Sequence, residues 1–286
     1  MKDLLPKMSV RAALAVAITL VVVKSIGWNA TGSVSLFSSL VDSIQDVVVS
    51  LVNYVALKYA LKPADDEHKF GHGKAEDLAT LAQGFFIGIV SILIAVEAIS
   101  RFSNPHPLPS GGVGIAIMCL SLVLTICLVI FQKYVVRKTG SNLIEADSVH
   151  YISDILSNLA VLAALVLSTY FGIANADGLF GLLIAAYIFH GAWEVGSKAF
   201  DNLMDKEFEP HLVGKIQEII NAHPEVIRVK NLKTRRSGTK HLIQFDFTMK
   251  GTATLTESHH TAHQLEDALM AEFPHSEIFI HQEPEV

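Results

Sequence analysis

Between Val10 and Phe200 the chain is built of long apolar blocks, and no other feature limits its fold so tightly. A bilayer core takes about 20 mostly apolar residues per helix. Six windows have that length: 10–28, 34–57, 79–101, 113–135, 144–171 and 178–199. Turn-forming stretches separate them: Asn29-Ala30-Thr31-Gly32, Lys62-Pro63-Ala64-Asp65-Asp66, Asn104-Pro105-His106-Pro107, Lys138-Thr139-Gly140 and Ala174-Asn175-Ala176-Asp177. Only 17% of residues are charged, against about 25% in an average soluble protein. The expected fold is therefore a membrane α-helical protein, a bundle of six transmembrane helices over residues 1–204, followed by a soluble domain over 205–286. Lys2, Lys7 and Arg11 precede the first window as in a signal peptide, but that window leads into further spans and is read as a retained helix.

Basic residues orient the bundle. Lys2, Lys7 and Arg11 precede helix one, Lys58, Lys62, Lys69 and Lys74 follow helix two, and Lys133, Arg137 and Lys138 follow helix four. The alternate loops offer only Arg101 nearby. The positive-inside rule then puts both termini in the cytosol. No organelle-targeting segment is visible, so a bacterial inner membrane is the simplest location. The net charge of −6 contains no basic block of the kind that binds nucleic acid. Cys119 and Cys127 share one apolar block and make no disulfide framework.

After Asp205 the pattern changes. Residues 209–222 read as an amphipathic helix and 225–235 as a strand. Ile243, Phe245, Phe247 and Met249 alternate with Gln244, Asp246 and Thr248, the period of a half-buried strand. A helix over 256–273, its start marked by Thr256 and Glu257, precedes a strand over 277–281. The order αββαβ predicts a small two-layer α/β domain. Eight of the 13 histidines lie beyond Phe208, a first hint of metal.

The informative residues are the charges inside the spans. Asp42 and Asp46 sit in helix two, His150 and Asp154 in helix five, each pair spaced i, i+4 and so on one helical face. At 1.5 Å per residue, Asp42 lies roughly 15 Å below Gly32 and His150 roughly 14 Å above Ser141, so the four can meet near mid-membrane. An Asp at the centre of a span costs about 2.5–3.5 kcal/mol on insertion scales. Three carboxylates and an imidazole form a natural tetrahedral cage for Zn²⁺, which offsets that cost. The blander alternative is an interhelical hydrogen-bond cluster or a proton path without metal. A mixed imidazole–carboxylate set suits Zn²⁺ and Cd²⁺; an all-oxygen set leans towards Mn²⁺ or Mg²⁺. Between helices two and three, Asp65, His68 and His72 have the spacing to supply three ligands to one ion, or else belong to a solvated charged loop. Lys24 is expected to snorkel to the interface; Glu97 and Glu194 read as interfacial and His190 as a packing residue. Asp147 reads as a vestibule charge near the cytosolic mouth.

An intramembrane zinc protease is disfavoured, since the chain has no His-Glu-x-x-His motif and four protein ligands leave no position for a catalytic water. The expected protein is no enzyme. A metal sensor or regulatory subunit that does not transport is the other alternative, and a transporter whose main ion is Fe²⁺ or Mn²⁺ the third.

These residues also carry a resemblance. The chain resembles the cation diffusion facilitators, specifically their bacterial zinc and ferrous-iron efflux branch, over nearly its whole length. The matching stretches are Gly32-Ser33-Val34-Ser35 leading to Leu40-Val41-Asp42-Ser43-Ile44-Gln45-Asp46, Pro63 to Glu76, Ala146 to Asp154, and Ile280-His281-Gln282-Glu283-Pro284. The resemblance implies a homodimer in the lipid bilayer that exchanges cytosolic divalent metal for external protons by alternating access. It implies a transport site at Asp42, Asp46, His150 and Asp154, and a loop site at Asp65, His68 and His72. It also implies a ferredoxin-like tail that binds metal between subunits, and a charge pair that locks the dimer, matched here by Lys74 and Asp205. The tail departs from the family pattern: Lys230 and Asp246 stand where ligating histidines are expected, which leaves one ion to Asp246, His259, His281 and Glu283, with His241, His260 and His263 either substitutes or surface residues.

Overall fold

The computed structural model describes residues 4–31, 34–103, 112–171, 176–238, 240–274 and 276–285. The motif residues Gly32 and Ser33, the whole turn at Asn104–Pro107, and Ala174 and Asn175 of the turn before α6 lie outside them. The chain forms two compact units, Met1–Ala199 and Phe200–Val286.

The first unit is made of long helices: α1 (Leu4–Thr31), α2 (Val34–Ala60), α3 (Lys74–Ser103), α4 (Gly112–Thr139), α5 (Asn142–Phe171) and α6 (Ala176–Leu203). Among the described residues, four of them contain segments long and apolar enough to cross a membrane: Leu4–Ala30, Ser39–Ala60, Lys74–Ser100 and Ala116–Thr139. Burial runs opposite to that of a water-soluble bundle. Phe85 and Trp193 are each 68% exposed, whereas Asn53, Asp77, Gln132 and Asp147 are buried. Apolar faces turned outward and polar groups satisfied inside are what a hydrocarbon solvent demands.

Inside the bundle, α1 packs on α2 and α4, α4 on α5, and α3 on α2 and α5. Ala13, Leu128, Val129 and Tyr151 form one apolar seam of α1, α4 and α5. Helix α3 meets α6 at glycine, where a Cβ on Gly84 would stand 3.0 Å from the Cα of Gly196 and 3.2 Å from the carbonyl oxygen of Ala192. Such small residues let two helix backbones approach. Helix α3 begins at Lys74, five residues before its apolar window, because its polar first turn has partners. Ser141 donates to Glu76, and the Asn142 amide donates to Asp77 Oδ1 at 2.9 Å.

The second unit has the order α7 (Pro210–Asn221), β1 (Arg228–Ser237), β2 (Lys240–Met249), α8 (Leu255–Glu272) and β3 (Ser276–Pro284). The sheet order is β1-β2-β3, with β1 antiparallel and β3 parallel to the central β2. Ile243, Phe245, Phe247 and Met249 face a core shared with Ile216, Ile220, Leu265, Leu269 and Phe273. Asp246 and Thr248, expected on a wet face, are buried as well, because a central strand is flanked on both sides.

Helix α8 starts earlier than Thr256 and Glu257 suggested. Its N-cap is Thr254, whose hydroxyl accepts from Glu257 N–H at 3.3 Å while the Glu257 carboxylate accepts from Thr254 N–H at 2.7 Å, a reciprocal capping box. The Thr254 N–H holds the Glu257 carboxyl below its ordinary range. Thr254→Ala is expected to destabilise the soluble unit by about 1 kcal/mol, measured as a lowered midpoint of tail unfolding.

Candidate metal centre

The face of α2 that carries Asp42 and Asp46 continues through Ser50 and Asn53, a polar stripe at helical spacing. Helix α5 answers it with Asp147, His150, Tyr151 and Asp154. His150 Nε2 lies 3.1 Å from Asp46 Oδ1 and 4.0 Å from Asp154 Oδ2. One ligand atom from each of Asp46, His150 and Asp154 falls within a mutual 4.8 Å. Asp42, one turn from Asp46 on α2, is exposed and lies outside that group of three. In this arrangement one imidazole nitrogen faces two carboxylates, the place where a shared proton or a divalent cation would sit. Metal can enter only if that nitrogen is deprotonated.

Polar contacts fix the two helices around the cluster. Asn53 Nδ2 donates to Asp147 Oδ1 at 2.8 Å, and Gln132 Nε2 donates to Asp147 Oδ2 at 2.6 Å. Tyr151 and Ser50 hydroxyls are 3.0 Å apart. Asp147 therefore ties α5 to both α2 and α4, and at 2% exposure it is no vestibule charge. The expectation failed because a carboxylate near a span's end was read as wet, whereas two amides replace its water here. Lys24 departs from expectation too. Instead of snorkelling it is 9% exposed and donates to Ser43 Oγ at 2.7 Å and to the Ser39 carbonyl at 3.1 Å. Sequence reasoning assigned no function to Asn53, Gln132, Ser50 or Tyr151, although the stripe Asp42, Asp46, Ser50, Asn53 was readable from spacing.

The loop between α2 and α3 folds onto Asp65. Asp65 Oδ1 accepts from the backbone N–H of His68 at 2.7 Å and of Glu67 at 3.1 Å; His68 Nδ1 lies 3.2 Å from the same oxygen and His72 Nε2 lies 3.3 Å from Oδ2. The His68 N–H, with help from His72 and Glu67, holds the Asp65 carboxyl below the ordinary range, so it stays ionised into mild acid. Gly71 permits the return of the chain at φ +81°, a left-handed conformation that favours glycine. His72 is buried, its ring against Tyr59, and its Nδ1 has no hydrogen-bond partner among the described residues. Asp65, His68 and His72 bring ligand atoms within 4.8 Å of one another. A three-ligand N/O set with an orphaned imidazole nitrogen fits a divalent ion.

In the tail, strand register makes the juxtaposition. Lys230 is opposite Asp246, Asp246 is opposite His281, and Glu283 follows two residues on along β3. Asp246, His281 and Glu283 also bring ligand atoms within 4.8 Å. Each carboxylate already has a donor, however. Lys230 Nζ lies 2.6 Å from Glu283 Oε2, and Asn231, in a bulge at φ +50°, donates to Asp246 Oδ2 at 2.5 Å. As arranged, one ammonium and one neutral amide already occupy the two carboxylates. His259 lies outside it, its ring against His263 on α8. Asp205 is engaged by Arg235, with Nη1 3.1 Å from both carboxylate oxygens, and Lys74 opens α3.

An apolar helical unit with an imidazole–carboxylate cluster between its helices, followed by a small α/β unit, defines an integral membrane protein built around metal-ligand chemistry. The cation efflux transmembrane domain matches residues 10–204, and the cation efflux protein cytoplasmic domain matches residues 209–285. The cation-efflux pump FieF of Salmonella arizonae is 42% identical over 273 residues, covering 96% of this chain and 91% of that pump. The same figures hold for FieF of Salmonella agona. Two solved structures of CzrB, one in its Zn form, are 34% identical over 28% of this chain, covering 99% and 93% of theirs, with a TM-score of 0.26. The chain belongs to the cation diffusion facilitator family. It is a cation efflux transporter, not an enzyme.

Proposed function

We propose that this protein exports Zn²⁺ from the cytosol in exchange for protons, by alternating access of one intramembrane site made of Asp42, Asp46, His150 and Asp154. The observation that carries this reading is the convergence of Asp46, His150 and Asp154 ligand atoms within 4.8 Å between two long helices. Asp42, on the same face of α2, completes a tetrahedral N/O set when the helices close on the ion. With the pocket open inward, deprotonated carboxylates and neutral His150 take up the ion. Rocking of the helices turns the pocket outward, where protons compete for the same ligand atoms and displace it. The protonated site then resets.

The reading includes six spans, both termini cytosolic, a bacterial inner membrane and a homodimer, with the tail as a ferredoxin-like dimerisation domain. The positive loops support the orientation, and the FieF relatives support cation handling. Asp65, His68 and His72 hold a resident ion that braces the loop from α2 to α3. In the tail, an ion on Asp246, His281 and Glu283, with His259 as a further ligand, requires Lys230 to release Glu283. Lys74 and Asp205 are the residues to pair across the dimer.

Purified protein in proteoliposomes tests the central claim. Zn²⁺ uptake is expected to rise with an imposed pH gradient and to fall to the leak rate when an ionophore collapses it. Uptake indifferent to the gradient removes proton exchange. Silence with Zn²⁺, Fe²⁺, Cd²⁺ and Mn²⁺ alike leaves the sensor reading.

A further inference from the structure

Lys24 is a cation in a region that the proposed function fills with another cation. Its ammonium donates to Ser39 and Ser43 of α2, and Ser43 is the residue between Asp42 and the turn leading to Asp46. Electrostatically it acts on Asp46, Asp42 and Asp154, three of the four proposed ligands. An ammonium has three donors and no acceptor, so it cannot ligate metal. It is anchored on α1, the helix packed against α2, so its position relative to Asp42 and Asp46 is set by the fold rather than by the substrate. A lysine buried within a membrane helix bundle is expensive and needs nearby negative charge to persist. The three carboxylates supply it.

We infer that Lys24 is a fixed internal countercharge of the transport site, which weakens the hold of Asp42, Asp46 and Asp154 on the divalent substrate enough for release. This rests on the transport-site reading above. The physical reason is that a cage of three carboxylates in a low-dielectric interior binds a dication too tightly to turn over quickly, and a neighbouring positive charge subtracts from that attraction. When the ion leaves, the same ammonium limits repulsion among the carboxylates. Removing the charge while keeping a hydrogen-bond donor is therefore expected to tighten binding and slow the cycle together.

The test compares parent, Asp46→Ala, Lys24→Gln and Lys24→Arg as full-length protein in proteoliposomes, with initial rates of Zn²⁺ uptake fitted for KM and kcat. Lys24→Gln is expected to lower KM about tenfold and kcat about tenfold, leaving kcat/KM nearly unchanged. Lys24→Arg, which keeps the charge, is expected within about twofold of the parent in both. Parent-like KM in Lys24→Gln overturns the inference, as does a fall in kcat at unchanged KM in both variants, which a packing role alone produces. If Lys24→Gln does not elute as a single folded species, Lys24→Arg decides: parent-like KM supports the inference and a tenfold change overturns it. Asp46→Ala separates the two claims, since uptake through that variant at the parent rate sinks the transport-site reading itself.

Discussion

Asp46→Ala is expected to reduce saturable Zn²⁺ transport at least about 100-fold while leaving the folded protein intact. The carboxylate of Asp46 is the nearest partner of His150, at 3.1 Å, and the only member of the three-residue ligand cluster contributed by α2. Without it α2 keeps only Asp42, which lies outside that group, and the remaining pair, His150 and Asp154, is a helix-local i, i+4 couple on α5, 4.0 Å apart. Both the affinity and the coupling of ion binding to helix movement are then lost. Loss of even one outer-shell partner of a metal ligand typically costs 10–100-fold in affinity, so a ligand itself should cost no less. Asp46→Asn keeps the volume but not the charge and is expected to fail nearly as badly. The measurement is uptake into proteoliposomes beside the parent, with size-exclusion profiles to verify folding. Parent-like uptake in Asp46→Ala would mean that the ion crosses elsewhere.

The second large effect concerns stability. Asp147→Ala is expected to destabilise the helical unit by about 2–4 kcal/mol, because the amides of Asn53 and Gln132 lose a common acceptor in a buried place. The figure sits above the average interhelical hydrogen bond in membranes, about 0.6 kcal/mol, because two buried donors lose their acceptor at once. In detergent the thermal midpoint should fall by on the order of 5–10 °C. Asp147→Asn should recover part of this, since its carbonyl still accepts from one amide. A surface vestibule charge would behave in the opposite way, leaving the midpoint unchanged and raising KM at low ionic strength.

Much of the site was legible because membranes make ionisable residues conspicuous. Asp42, Asp46, His150 and Asp154 interrupt otherwise apolar windows at i, i+4 spacing, and that spacing alone puts each pair on one face. The same spacing extended to Ser50 and Asn53, which an account based on charge passed over. Helix bounds were less legible. Windows of apolar residues find the part that lies in hydrocarbon, but α1 begins at Leu4 and α3 at Lys74. Polar residues continue a helix when they find partners, as Glu76 and Asp77 do in Ser141 and Asn142 where α5 begins. Thr254, rather than Thr256, caps α8 because a capping box is defined by which threonine and glutamate close on each other, and both threonines precede the same apolar face.

What the sequence determined by itself is the class of solvent and the chemistry within it. Blocks of about 20 apolar residues demand a bilayer, and imidazole with carboxylates inside those blocks demands compensation, by partners on neighbouring helices, by protons or by a cation. The αββαβ order of the tail was equally local, set by period-two and helical patterns. The pairing between elements belonged to the tertiary structure. Lys24 and Asp147 look alike from sequence, each a charge near the end of an apolar window, yet one lies on α2 serines and the other between two amides. Lys230 and Glu283 are 53 residues apart in the chain and meet only through the register of three strands. Spacing along one helix or strand is fixed by covalent geometry, whereas the partner of a buried charge depends on which faces pack together.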